Sequence, residues 1–250
     1  MGKLFKLQFR RLFKSKSFYI LIAISLIAVL ISLAALKAVS SMDTGSIKIE
    51  TTPGFTALKG GFGNGLLSII LAITTAIFIS EDFSSETIKN IYAKGYSHKD
   101  VFVVDYFTTL IETAIILTCN MLFSFLVGTM MFGVGNAGEN YFFSLIGIFF
   151  IAFAYHSIFF AISISLRKPG GSIAFGILGP LVINLIINLV DAILGDKNKF
   201  RLSNYWIDGK LSLLTDTNVE IGEIFASIGI SLLVMLVCLA ISYFVNDKRE

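Results

Sequence analysis

Two acids seven positions apart are the strongest chemical signal in this sequence. Asp105 and Glu112 share one face of a helix, because seven residues make close to two turns. They stand next to a long apolar run, where an ionisable side chain is costly and is a functional candidate by default. Counted from Val101, Glu112 lies about 16 Å along the helix at ~1.5 Å per residue. At that depth it lines a cavity, contacts a cationic substrate or pairs with a basic residue of another helix. If the helix begins further out, Glu112 sits at the interface instead, and the spacing does not choose between the two.

Further along, Pro180 interrupts an apolar run directly after Gly179 and four residues after Gly176. A proline frees a carbonyl and kinks a helix. Asn184 and Asn188 follow at i, i+4, so a bend lies beside a polar stripe. That suits a substrate pathway that opens and closes, and it equally suits ordinary hydrogen bonding between helices. His156 precedes Ser157, but no Gly-x-Ser context surrounds them, so a hydrolase is not indicated. Cys119 and Cys238 lack metal-ligand or CxxC spacing and read as packing residues. No G-x-x-x-x-G-K-[ST] pattern occurs, so the chain has no usual phosphate-binding loop. Residues 60–65 (GGFGNG) are glycine-rich and read as a flexible opening to an apolar span or as a close helix contact.

The elements that position these residues follow from composition. Of 250 residues, 55% are hydrophobic and 15% charged, with 24 Phe and 3 Pro. Soluble domains carry roughly 25% charged residues. Mean hydropathy is +0.82. One soluble core cannot bury that much apolar surface. A soluble enzyme, a disordered chain and a disulfide scaffold are all excluded.

A membrane-crossing helix needs about 20 apolar residues. Six windows between charges are that long, and they predict spans at about 17–36, 60–80, 103–132, 140–166, 169–194 and 220–246. No alternation of barrel type is present. The fold class is thus an all-α polytopic membrane protein, one membrane domain over 1–250, with no repeat. The first span is too long for the apolar part of a signal peptide and reads as an uncleaved anchor. Lys and Arg are denser in the N-terminal tail, 81–112, 167–168 and the C-terminal tail than in the alternate loops, which predicts both termini in the cytoplasm. The net charge of +3 reflects this asymmetry and gives no sign of nucleic-acid binding.

Two shorter elements complete the layout. In residues 1–16, Met1, Leu4, Phe5, Phe9, Leu12 and Phe13 fall at helical spacing opposite Lys3, Lys6, Arg10 and Lys14, which predicts a basic amphipathic helix in the membrane interface. In 81–100, Phe83, Thr87, Ile88, Ile91 and Tyr92 share a face, with Ser84 or Ser85 to cap the start and Gly95 to end it. That apolar face is expected to bury itself in the interface or in a partner protein. Tyr205 and Trp206 suit a membrane boundary, and Thr217 to Glu220 has capping-box spacing for the last span.

The basic N-terminal helix, six spans and the Glu81 to Lys99 stretch (acid, then Thr-Ile-Lys-Asn-Ile, then Lys-Gly-Tyr-Ser) together resemble the membrane subunit of an ABC type 2 transporter. The layout covers nearly the whole chain and the local motif about 20 residues. Glu86 stands where many relatives carry Gly, and His98 where Arg is common. Among smaller members the pattern resembles permeases that export phenol-soluble modulins or give immunity to lantibiotics and bacteriocins. The resemblance implies a permease in the bacterial plasma membrane, moving amphipathic peptides of the toxin or antimicrobial type. It implies two copies of a separate ATPase that binds ATP and Mg, a second permease copy, and no cofactor in this chain. It assigns ATPase coupling to Glu81, Phe83, Thr87, Ile88, Lys89, Ile91 and Tyr92, while Glu112, Pro180, Asn184 and Asn188 remain the candidate substrate pathway. The alternative is an ion-coupled secondary transporter or channel using Glu112.

Overall fold

A computed structural model describes residues 1–41, 52–63, 66–84, 87–194 and 201–247. The described residues hold ten α-helices and one short 3-10 turn joined by irregular segments, with no strand among them. In order they are α1 (Gly2–Lys14), α2 (Lys16–Ser40), α3 (Gly54–Gly63), α4 (Leu66–Ser84), α5 (Thr87–Ala93), α6 (His98–Phe132), α7 (Tyr141–Leu166), α8 (Pro169–Leu194), α9 (Ile207–Thr215) and α10 (Ile221–Asp247), with the 3-10 turn Leu202–Tyr205 before α9. Five helices are long and apolar enough to cross a membrane: α2, α6, α7, α8 and α10. The count reaches six if α3 and α4 form one bent span.

Span two departs from its predicted straight helix over 60–80. It is a pair, α3 and α4, bent by 43° and starting six residues earlier. Helix α3 itself lies close against α6. A Cβ on Gly61 would stand 3.1 Å from Ser124 Oγ and 3.2 Å from Met121 Cα, and one on Gly128 would stand 2.5 Å from Ala57 Cβ. Helices in lipid associate through close packing and not through hydrophobic drive, so small residues let α3 lie directly on α6. Within the glycine run Gly61 is therefore a close helix contact, whereas a Cβ on Gly60 would meet nothing within 4 Å; Asn64 and Gly65 lie outside the described residues.

Span three also begins earlier than predicted, at His98. A capping box fixes that start: Asp100 N–H donates to Ser97 Oγ at 3.2 Å, and Ser97 N–H to Asp100 Oδ2 at 3.3 Å. The last span starts at Ile221, and Glu220 O receives the N–H groups of Glu223 and Ile224. The spans over 141–166 and 169–194 match their predicted windows closely.

Helices α6 and α7 form the centre, and α2, α8 and α10 lie outside with long apolar faces exposed. The main core joins Leu71, Phe102, Ile116, Ile151, Tyr155 and Phe160, among others. At one end of the bundle Arg11 meets Glu81 and Asp82, the Arg167 guanidinium lies 4.8 Å from the Phe83 ring, and it donates to Asn246 Oδ1 at 3.2 Å. The N-terminal helix, the α4–α6 connection, the α7–α8 turn and the end of α10 thus share one end. At the opposite end Gly54 N–H donates to Gly133 O, and the Lys59 ammonium to Asp216 O at 2.8 Å.

Candidate functional site

The amphipathic N-terminal helix packs into the bundle. Its buried residues are Leu4, Gln8 and Leu12, at i, i+4 and i+8, and they face α6. Met1 and Phe13, expected on the apolar stripe, are exposed. A polar side chain at the centre of a buried stripe needs partners. Gln8 has two: its Nε2 donates to Asp82 Oδ2 at 3.1 Å and to Asp105 Oδ1 at 2.8 Å. One amide thereby ties α1 to α4 and α6.

Arg11, three residues on, completes the cluster. It pairs with Asp82 Oδ1 through Nη1, which also lies 3.3 Å from Gln8 Oε1. Its Nη2 donates to Phe78 O at 2.9 Å and to Glu81 Oε2 at 3.3 Å. The guanidinium also stands 4.6 Å from the Phe78 ring centre. Burial works against the charge on Arg11, but the charges and hydrogen bonds of Asp82 and Glu81 outweigh it and hold its pKa above the ordinary value. Asp82 is fully buried, whereas Glu81 is exposed. An uncompensated buried carboxylate would be expensive, so Arg11 is the counter-ion that lets Asp82 stay inside.

Glu112 is buried, two turns along α6 from Asp105, and lines a small cavity with Arg11, Phe18, Thr74 and Phe78. Its Oε2 has no hydrogen-bond partner among the described residues. At ~1.5 Å per residue, α6 is ~52 Å long and exceeds the ~30 Å hydrocarbon layer by ~22 Å. Glu112 stands ~21 Å from the start of the helix.

The 81–100 segment folds back on its own chain. Ile88 and Ile91 are buried in a cluster with Leu4 of α1 and Val101 and Val104 of α6, rimmed by Phe5, Phe83, Tyr92 and Tyr96. This corrects the expectation that the apolar face would lie in the interface or in a partner. Gly95, at φ 85°, ends the segment as predicted. The Tyr92 ring lies 3.9 Å from that of His98. Lys89, Asn90 and Ala93 form the exposed side of α5, and Lys94, also exposed, follows its end. Ser85, Glu86 and the Thr87 side chain lie outside the described residues.

The other predicted pathway residues sit elsewhere. Pro180 and Asn184 are half-buried in α8, and Asn188 is exposed. Helix α8 packs on α4, α7 and the 3-10 turn, while Glu112 faces α1, α2 and α4. The chain does not bring these two sets together. His156 is fully buried, with Nε2 2.8 Å from Thr109 Oγ1. The Thr109 hydroxyl also lies 2.8 Å from Asp105 O.

Sequence reasoning missed Gln8, Asp82 and the buried state of Arg11. A signal existed for Gln8, which interrupts the Leu4–Leu12 stripe in phase. Asp82 likewise continues the buried Leu71, Thr75, Phe78, Ile79 face of α4. Lys59 was missed as well. It reads as the charge that bounds a span, yet it is buried, 5.2 Å from the Tyr141 ring. Among the described residues no group of three metal-ligating side chains gathers.

No family model, curated protein or solved structure matches the chain. The five or six helices long and apolar enough to cross a membrane point to the class of multi-pass helical membrane proteins.

Proposed function

We propose that this chain is the membrane-spanning permease subunit of an ATP-driven exporter of the ABC type 2 class. In this reading it works in a bacterial plasma membrane with both termini in the cytoplasm. It pairs with a second permease copy and two ATPase chains that bind ATP and Mg, and it moves amphipathic peptides of the toxin or antimicrobial type outward. The observation that carries the reading is the seat of α5, held by Leu4 of α1 and by Val101 and Val104 at the foot of α6. A push on the exposed side of α5 reaches two elements at once. Through Gln8 and Arg11 it also reaches α4, because those side chains bond Asp82 and Asp105. A short lever tied to the bundle by both apolar packing and buried charge suits transmission of a partner's motion. The carrying surface for the ATPase is then Lys89, Asn90 and Lys94 with Glu81, while Phe83, Ile88, Ile91 and Tyr92 hold the lever in place and Thr87 opens it.

The test is reconstitution. A co-expressed ATPase with a phosphate-binding loop should co-purify with the chain, and its ATP hydrolysis should rise with amphipathic peptides. One observation favours the second reading, an ion-coupled transporter: the buried, unpartnered Oε2 of Glu112 beside Arg11. Transport by the purified chain alone down a proton gradient, abolished by Glu112→Gln, would establish that reading in place of the first.

A further inference from the structure

A wide-open surface cavity of about 540 Å³ lies at the junction of α1 and α2, on the end of the bundle that holds the ionic cluster. Arg10, Arg11, Lys14 and Lys16 line it, with Ser15 and Ser17. Glu81 is the one acid in the lining, and it faces Arg11, which Asp82 also neutralises. Arg10, Lys14 and Lys16 make no ion pair among the described residues. The cavity therefore holds an excess of positive charge with two hydroxyls. Ser15 makes no side-chain cap to α2, and the first N–H groups of any helix lack intrahelical partners.

What leaves the cavity along α2 is apolar. Ile20, Ile24, Ile27 and Ile31 continue the helical face of Lys16 at i+4, i+8, i+11 and i+15, and all four are exposed. A ligand that fills the site needs a compact anionic head and a hydrocarbon tail about as long as this stripe. Basic pockets beside spanning helices match that chemistry.

We propose that this cavity binds the phosphate headgroup of one anionic phospholipid, with its acyl chains along the Ile20 to Ile31 face of α2. The inference rests on α2 crossing a membrane and is independent of the transporter reading. A lipid there holds the α1–α2 elbow in place, next to Arg11 and the Gln8 link.

The test uses the full chain in neutral mixed micelles with equal phosphatidylglycerol and phosphatidylcholine, and native mass spectrometry of the bound lipid. Wild type should enrich phosphatidylglycerol about tenfold or more. Lys14→Gln with Lys16→Gln should bring the ratio close to one. Lys3→Gln with Lys6→Gln removes the same number of charges outside the cavity and should leave the ratio unchanged. Equal binding of the two lipids by wild type would overturn the proposal, as would equal loss in both double variants, which would mean a diffuse basic surface. Inorganic phosphate alone should protect against thermal unfolding less than phosphatidylglycerol; equal protection would make the ligand a free anion. A phosphatidylglycerol with a photo-reactive headgroup gives a readout on wild type that needs no variant. Label within residues 10–17 supports the site, and label elsewhere overturns it.

Discussion

The side-chain amide of Gln8 lies 2.8 Å from the carboxylate of Asp105, 97 positions further along the chain. The same nitrogen reaches Asp82. Two buried acids on different helices are thus bridged by a neutral donor, and only one of them has an arginine of its own. The N-terminal helix is therefore part of the bundle, and its removal would leave two carboxylates inside without donors.

Arg11→Ala removes the counter-ion of Asp82. Breaking a buried ion pair from one side costs about 3–5 kcal/mol, so the variant should unfold at markedly lower temperature in detergent. Adding Asp82→Asn should recover part of the loss, because the orphaned charge goes with it. No recovery in the double variant would mean that the pair does not act as a unit.

Gly128→Val tests the α3–α6 contact. Even a methyl group there would meet Ala57 at 2.5 Å. Overpacking of a tight site costs about 1–3 kcal/mol. Thermal unfolding should show that loss, and Ala57→Gly should relieve part of it. An unshifted midpoint would show that α3 moves aside at no cost.

Asp208, in α9 outside the spanning helices, accepts from the Tyr155 hydroxyl, and burial raises its pKa from the ordinary 3.8 to about 6. A raised carboxyl favours the folded state while protonated. Its contribution is complete below about pH 4 and is lost as pH rises through about 6. The unfolding midpoint should fall across that window, and Asp208→Asn should flatten the fall. Identical slopes for variant and wild type would remove Asp208 as the cause.

Two double variants separate holding the lever from docking on it. Ile88→Asp with Ile91→Asp puts charge into the cluster around Leu4 and Val104, and should both lower stability and uncouple transport. Asn90→Glu with Lys94→Glu changes only exposed side chains on α5 and just past its end, and should weaken ATPase co-purification with thermal stability unchanged. If the exposed pair leaves co-purification intact, α5 is not the docking surface.

Much of the architecture was legible along the chain, because a membrane imposes a one-dimensional rule. Uncharged windows such as 141–166 must form helices to pair their own backbone, so hydropathy and helical period locate them without any tertiary information. The same holds for α1 and α5, whose apolar stripes are local, and for Gly95 at a turn that needs positive φ. Asp105 and Glu112 stood out because a charge beside lipid is costly wherever its partner lies. Tertiary structure decided the rest. Charge spacing treats Lys59, Glu81 and Asp82 alike as markers of a span's end, although Lys59 and Asp82 are buried and Glu81 is not. Whether a charge is an edge or a core residue depends on what stands opposite it. That is set by the register of α1 against α4 and α6 and by the close approach of α3 to α6, distances between residues tens of positions apart that no local pattern encodes.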